Sequence, residues 1–463
     1  MKKKLSLLLV SVMALSSLAA GCGSKDAAES ASPSSSQAPA ATESASPSPE
    51  PTKAAEPFKV SLRHIQIGDA QKNRKKILDD VVAKTEAEIP GLKFELDGVE
   101  DNTNRFTKLP AEMAAGNPPK IMDLFGGEGD ALKYGKAGRL LDLAPVLEEI
   151  GIKQDQFVNL NQFKDGDKLY GLPLGGSSEG FYYNKDLFAK FNIAEPQTLE
   201  DLEKAAETLK ANKITPFAMG SKGAWVPLML VNTLMGRYAG PEIVKELADG
   251  SKKWTDPTVV AAFTKYKEWV DKGYFTKGEL GLEYGQMLDQ FVTGKAGMMF
   301  DGSWRSSVFK DKELSKDLFE KAGYFALPAV PNGVGDQKAI NANYSNGYGF
   351  SADLNENELA AVKAFIKNLY NEEMQLRGLL EDGVLPSMKL SADAKAKVTD
   401  PIVTTVMSQF DATTNAFSHF DSTVKTEVYQ EAEKQIGKLI AGQTTPEKMG
   451  AAVQAIADKA AAK

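Results

Sequence analysis

The chain is expected to be an α/β protein. Three observations carry that expectation: strand-like and helix-like stretches alternate from residue 58 onward, 42% of the 463 residues are apolar, and no internal repeat runs at solenoid or propeller spacing. In order, "FKVSLRHIQI" from Phe58 alternates Val60 and Leu62 with charged neighbours and reads as a strand. Residues 73–86 set Ile77, Leu78, Val81 and Val82 on one helical face and stop before Pro90 and Gly91. "LKFELDGV", "RFTKLPAEMAAG" and "KIMDLFGG" then read as strand, short helix and strand. This β-α-β-α-β order predicts a mostly parallel sheet covered by helices, with ligands beyond the carboxyl ends of its strands. Further on, "GFYYNKDLFAKF" reads as a strand running into a helix, Thr198 and Asp201 form a capping box, and Thr445 with Pro446 opens a late helix. A single core rarely exceeds about 250–300 residues, so the part from residue 58 to 463 is expected to form two closely joined lobes.

The first 57 residues differ in kind. Lys2, Lys3 and Lys4 precede the apolar stretch from Leu5 to Leu18, which is too short to span a bilayer about 30 Å thick, so residues 1–21 read as a signal peptide. It ends in "LAAGC", and Cys22 is the only cysteine of the chain. That ending resembles a bacterial lipobox, in which cleavage leaves a lipid-bearing cysteine, although Ala19 stands where a branched residue is usual. Cys22 is the expected lipidation site, and residues 22–57, rich in Ser, Ala, Pro and Glu, are the expected disordered tether.

Composition excludes several functions. A net charge of −7 has the wrong sign for neutralising phosphates, so no nucleic-acid partner is expected. One cysteine rules out an internal disulfide framework, and His64 and His419 are too few for a zinc site or a histidine triad, so no metal is expected. "GGEGD" lacks the Lys-Ser/Thr of a phosphate-binding loop. No cofactor is expected.

Several ordered stretches carry a resemblance: "GDKLYGLPLGGSSEGFYYNKDLFAKFNIAEPQTLEDLEKAAETLK" (166–210), "FVTGKAGMMFDGSW" (291–304), "YFALPAVPNG", "GYGFSADLNENELAAVKAFIKNLY", "DGVLPS" and "LIAGQTTPEKMGAA". Together they resemble the extracellular solute-binding proteins of bacterial ABC importers, the sugar-binding family that includes maltodextrin-binding proteins. The resemblance implies a periplasmic-binding-protein-like fold of two α/β lobes joined by a hinge of crossing strands. By position, the lobes are 58–172 with 325–370, and 173–324 with 371–463, with crossings near 172–174 and 325–327 and a third after Tyr370. It implies a monomeric, lipid-anchored, extracytoplasmic subunit that captures a carbohydrate and delivers it to an ABC permease. The alternatives are another polar solute, or a secreted glycoside hydrolase, which needs only two suitably spaced carboxylates but for which no catalytic stretch is recognisable.

A sugar has flat C–H faces and a rim of hydroxyls, so its site needs aromatic plates together with carboxylates and amides. Trp304, after "GMMF" and the turn Asp301-Gly302-Ser303, is the first candidate plate, against core packing at the hinge; Trp225 in "KGAWVPLML" is the second, against a helix-start anchor. Trp269 has helical spacing with Phe263 and Tyr266 and is assigned to the core, and Trp254 has no assigned role. Glu128, with Asp130 beside it, follows "LFGG", and Glu179 follows the first expected crossing; either is a hydroxyl ligand or a solvated loop acid. His64 and Gln66 end the first strand, Asn346 precedes "GYGF", and Asp301 is either a ligand contact or the cap of the turn before Trp304.

Overall fold

The computed structural model describes residues 56–412 and 415–462. The signal peptide, Cys22 and the tether lie outside the described residues. The opening pattern folds as its periodicity requires: the strand Phe58–His64 pairs in parallel with Leu92–Gly98 and with Ile121–Phe125, burying Val60 and Leu62. The helix Lys72–Glu88 lays Leu78, Val81 and Val82 on that sheet and buries Ile77 as well. Two antiparallel strands complete it, Asn346–Phe350 beside Ile121–Phe125 and Leu172–Pro173 beyond.

The second sheet is built around one long strand, Gly175–Asn184. It pairs antiparallel with Ala296–Gly302, Ala322–Phe325, Ile340–Asn343 and Leu385–Pro386. Among its neighbours, Thr215–Ala218 runs parallel to Ala296–Gly302. The expectation of a mostly parallel sheet therefore holds for the three strands at the start, while the long central strand of the second sheet pairs antiparallel throughout. The strands that carry the chain out of the first lobe and back lie side by side, and so must run in opposite directions.

Local signals set the ends of several helices. Asn184 accepts from Leu187 N to start Lys185–Lys190, Thr198 and Asp201 form the capping box of Leu199–Ala211, and Thr445 caps Pro446–Ala461 with proline at its first turn. Trp269 is fully buried in the second lobe's core, and Trp254 packs edge-on against Phe420 in the same core.

Of the crossings, the second needs correction. The first lies at Leu174, between the strands of the two sheets, where Leu174 N donates to Asn346 O at 2.9 Å. The second does not lie at 325–327. Phe325, Leu327 and Val330 stay in the second core, Arg237 Nε donates to Leu327 O at 3.1 Å, and Ile340–Asn343 is still in the second sheet. The chain passes at Tyr344 and Ser345, since Asn346 already pairs with Phe125 in the first sheet. The strand at Phe325 is visible in sequence, but its partner Phe181 is far away along the chain, and that pairing decides the lobe. After Tyr370 the chain passes more than once: Leu379 and Leu385 lie in the second core, whereas Val158 N donates to Ser387 O and Lys389 N to Gln156 O, each at 2.8 Å, tying this short stretch back to the first lobe, so residues 371–463 do not all belong to the second lobe.

The lobes also meet away from the hinge, where residues 418–429 of the second lobe rest on the first. Gln162 Nε2 donates to Ser418 Oγ at 3.0 Å, and the Phe106 and Tyr429 rings stack at 5.9 Å with 26° between planes. Gly127 sits at φ +88, and a Cβ there would lie 1.6 Å from the Ser422 carbonyl oxygen. Gly127→Ala is accordingly expected to lower the melting temperature and to enlarge the radius of gyration in small-angle scattering by holding the lobes apart; unchanged dimensions would show that this contact does not limit their approach.

Candidate functional site

Between the lobes lies a cleft of about 650 Å³. One wall follows from the fully buried strand Ala296–Gly302, which ends in Asp301 and leads into the helical turns Ser303–Lys310. Three aromatic residues stand together on this wall: Trp304, Trp225 at the first turn of Trp225–Tyr238, and Tyr284 at the first turn of Tyr284–Val292. Trp225 and Tyr284 pack edge to face at 4.6 Å. Trp304 Nε1 donates to Tyr284 Oη at 2.7 Å, and Tyr284 Oη donates to Asp301 Oδ1 at 2.7 Å. Arg305 Nε donates to Asp301 Oδ2 at 2.9 Å, while its guanidinium lies 3.9 Å from the centre of the Tyr284 ring. Burial pushes the Asp301 carboxyl above the usual range, with Arg305 and Tyr284 pulling against it. With 0% of its surface exposed, Asp301 does not line the cleft; it positions the residues that do.

The loops bearing Trp225 and Tyr284 are tied to each other. Ser221 N donates to Glu279 O at 2.8 Å, Lys222 N to Leu282 O at 3.1 Å, and Ser221 Oγ to Glu279 Oε2 at 2.6 Å. Glu279 is buried, and burial pushes its carboxyl up to about 7, the Ser221 hydroxyl opposing.

At the base, Glu179 is 3% exposed and faces the cleft. His419 Nε2 lies 2.9 Å from its Oε1, and Asn341 Nδ2 donates to its Oε2. Burial alone would lower the His419 pKa, but the Glu179 carboxylate outweighs it, with Asp421 adding and Arg105 opposing, so the imidazole titrates above its ordinary value. Asn346 also lines the cleft and donates through Nδ2 to the buried Asp123 at 3.1 Å. On the first lobe, Gln66 lines the wall, and Arg105 lies 3.9 Å from the centre of the Phe125 ring. Arg105 bridges Asp130 of its own lobe at 3.1 Å and Asp421 of the other at 3.0 Å.

The cleft thus brings together Trp304, Trp225, Glu179, Gln66 and Asn346. Three of the sequence candidates stand off its lining. Glu128 is a half-exposed loop acid paired with Lys136 at 2.7 Å, because the turn after Gly127 points it away. His64 is buried against Gly98 at the end of its strand, where desolvation lowers its pKa, and Arg63 beside it is held by Glu112 and Asp97. Asp301 lies one layer behind the plates. Sequence reasoning missed Tyr284, Asn343, Arg105, Asp101 and Asp421. Tyr284 shares a signal with Trp225, since each is an aromatic at the first turn of a helix within two residues of a glycine; the others depend on distant pairings.

Glu279 sets a pH test of this wall. Its folded pKa is raised, so the stability it contributes is fully present below the ordinary carboxylate value of about 4.3 and is lost as pH rises through about 7. Glu279→Gln, neutral throughout, is expected to lose less melting temperature than the parent between about pH 5 and pH 8. Parallel curves for the two proteins would show that Glu279 does not titrate in this window.

The comparisons agree with this geometry. The family model described as bacterial extracellular solute-binding protein matches residues 69–376. A solved chitin oligosaccharide binding protein is 44% identical, with a TM-score of 0.82 over 86% of this chain and 98% of that one. The multiple sugar-binding protein of Streptococcus mutans is 25% identical over 57% of this chain, and the maltodextrin-binding protein MdxE of Bacillus subtilis 28% over 57%. The chain spans 62% and 63% of the lengths of those two relatives. Family and relatives alike are solute-binding proteins rather than enzymes. The two-lobe fold with its interlobe cleft and the match over residues 69–376 show that this chain belongs to the bacterial extracellular solute-binding protein family.

Proposed function

We propose that the protein is the lipid-anchored, extracytoplasmic receptor of an ABC importer and captures a carbohydrate, an oligosaccharide, between its lobes for delivery to the permease. The observation that carries the reading is the set of three aromatic side chains, Trp225, Tyr284 and Trp304, on one wall of the cleft, with amides and acids on the others. A buried apolar face contributes about 1.5–3 kcal/mol, and a hydrogen bond to a charged group about 1.5–3 kcal/mol, so plates and rim together suit a sugar ring. The 44% identical chitin oligosaccharide binding protein makes chitin oligosaccharides the first solutes to test.

The chain crosses between its lobes only through short segments, so a solute touching both walls stabilises the closed arrangement selectively. The signal peptide 1–21, Cys22 as lipid carrier, the tether 22–57 and a monomeric state belong to the same proposal. Metabolic labelling with a fatty acid, lost in Cys22→Ser, tests the anchor.

A thermal-shift panel of neutral oligosaccharides, with peptides and polyols as controls, tests the solute. A sugar at a hundredfold excess over its Kd is expected to add about 2.7 kcal/mol of stability; a response to peptides alone would move the protein to another solute, and turnover of the sugar would restore the hydrolase alternative. Trp304→Ala is expected to weaken the bound sugar at least tenfold in calorimetry, about 1.4 kcal/mol or more, and an unchanged Kd would assign Trp304 to packing.

A further inference from the structure

The cationic groups that line the cleft are paired within the protein. Arg74 pairs with Asp382 at 2.6 Å, Arg105 with Asp421 at 3.0 Å, Arg305 with Asp301 at 2.9 Å and His419 with Glu179 at 2.9 Å, and Lys222 pairs with Glu283. Acidic groups are left over: Glu100 faces the cleft and caps Thr103 without a cationic partner among the described residues, and Asp101 Oδ1 and Asp421 Oδ1 are buried there without a hydrogen-bond partner. Two amides are unmatched as well. Asn343 is 6% exposed and Gln66 5% exposed, both line the cleft, and Asn343 Nδ2 and Gln66 Oε1 are buried without a hydrogen-bond partner in the protein.

The orientation of Asn343 is fixed. Its Oδ1 accepts from Ser345 N at 2.9 Å and from Ser345 Oγ at 2.8 Å. A backbone N–H only donates, so the oxygen must face Ser345, and the NH2 end is left for the cleft. Gln66 offers the complementary end, an acceptor from the opposite lobe. A buried donor or acceptor left unmatched costs about 1–3 kcal/mol, so a solute that matches both is favoured by more than its contact area alone.

We infer that Asn343 and Gln66 are specificity-determining residues that select a sugar free of acidic groups, the Asn343 amide donating to an oxygen of the solute and the Gln66 amide oxygen accepting from one of its O–H or N–H groups. The inference rests on the carbohydrate reading of the cleft and narrows it. Paired cations on the walls leave no counter-ion for a solute carboxylate, and desolvating such a group without one is unfavourable. Acetamido and hydroxyl groups meet both amides without that penalty.

The test compares chitin oligosaccharides with anionic counterparts of equal length, their primary hydroxyls oxidised to carboxylates, in calorimetry, using the full chain at pH 7, where the acids are charged. The neutral series is expected to bind at least tenfold more tightly. Asn343→Asp keeps the acceptor that Ser345 needs but replaces the donor, and Gln66→Met keeps the length but removes the acceptor; each is expected to weaken the neutral sugar at least tenfold while leaving the unliganded melting temperature near that of the parent. Should Asn343→Asp fail to fold, Gln66→Met, placed after the end of the strand Phe58–His64, carries the comparison. Equal affinity for the anionic series, or variants that bind as the parent does, would overturn the inference while leaving the carbohydrate reading intact. Should no neutral oligosaccharide of the wider panel bind the parent, the carbohydrate reading itself falls, and the inference with it.

Discussion

Asp301 is a carboxylate with no solvent exposure, and the aromatic wall is arranged around the need to compensate it. Arg305 supplies the opposite charge, and Tyr284 and the Gly302 N–H supply hydrogen bonds, the latter at 2.8 Å. Each partner is thereby fixed in place. Tyr284 with its hydroxyl committed to Asp301 has its ring set against Trp225, and Trp304 is held by the same hydroxyl. The plates are pre-organised, so little side-chain freedom is left to lose when a flat solute stacks on them. Removing Asp301 would leave Arg305 buried without its partner, which is why a residue that never touches the solute controls the surface that does.

The other half of the geometry is closure. The hinge passages bring the lobes together at the base, and residues 418–429 bring them together again at the side, through Arg105 with Asp421 and Phe106 with Tyr429. Arg105 is 5% exposed, lies over Phe125 and is shared between Asp130 and Asp421, so its charge is satisfied from both lobes at once. Opening the cleft separates it from Asp421 and leaves Asp130 behind. The free-energy difference between open and closed arrangements is therefore smaller than the number of interlobe contacts suggests, and contacts from a solute can decide it.

Much of the fold was legible because its signals are local. The first strand, the helix after it and the capped helices at Thr198 and Thr445 follow from alternation, periodicity and caps within a few residues. The second crossing was misplaced because it depends on pairing between Phe325 and Phe181, and nothing near Phe325 records that partner. The same division runs through the cleft. Trp304 and Trp225 stand out as large aromatics at element starts, and Tyr284 could have been found by the same rule. Asn343 and Asp421 could not, because their place in the cleft depends on which strand lies opposite and on how the lobes meet. Glu128 and His64 were suggested by position at strand ends, but position along a strand does not fix the direction of a side chain after a turn.

The strand Gly175–Asn184 has one end in the hinge, places Glu179 at the base of the cleft, and continues as Phe181 and Tyr182 in the second core. Recognition and folding are thus written on consecutive residues of a single segment, and a substitution there changes both together. Trp225 occupies a helix beginning, where one side chain can be exchanged with little disturbance to the sheet behind it, whereas Tyr284 is tied to Asp301 and Trp304. Redesign toward a different guest should therefore begin at Trp225 and keep the strand as a constant.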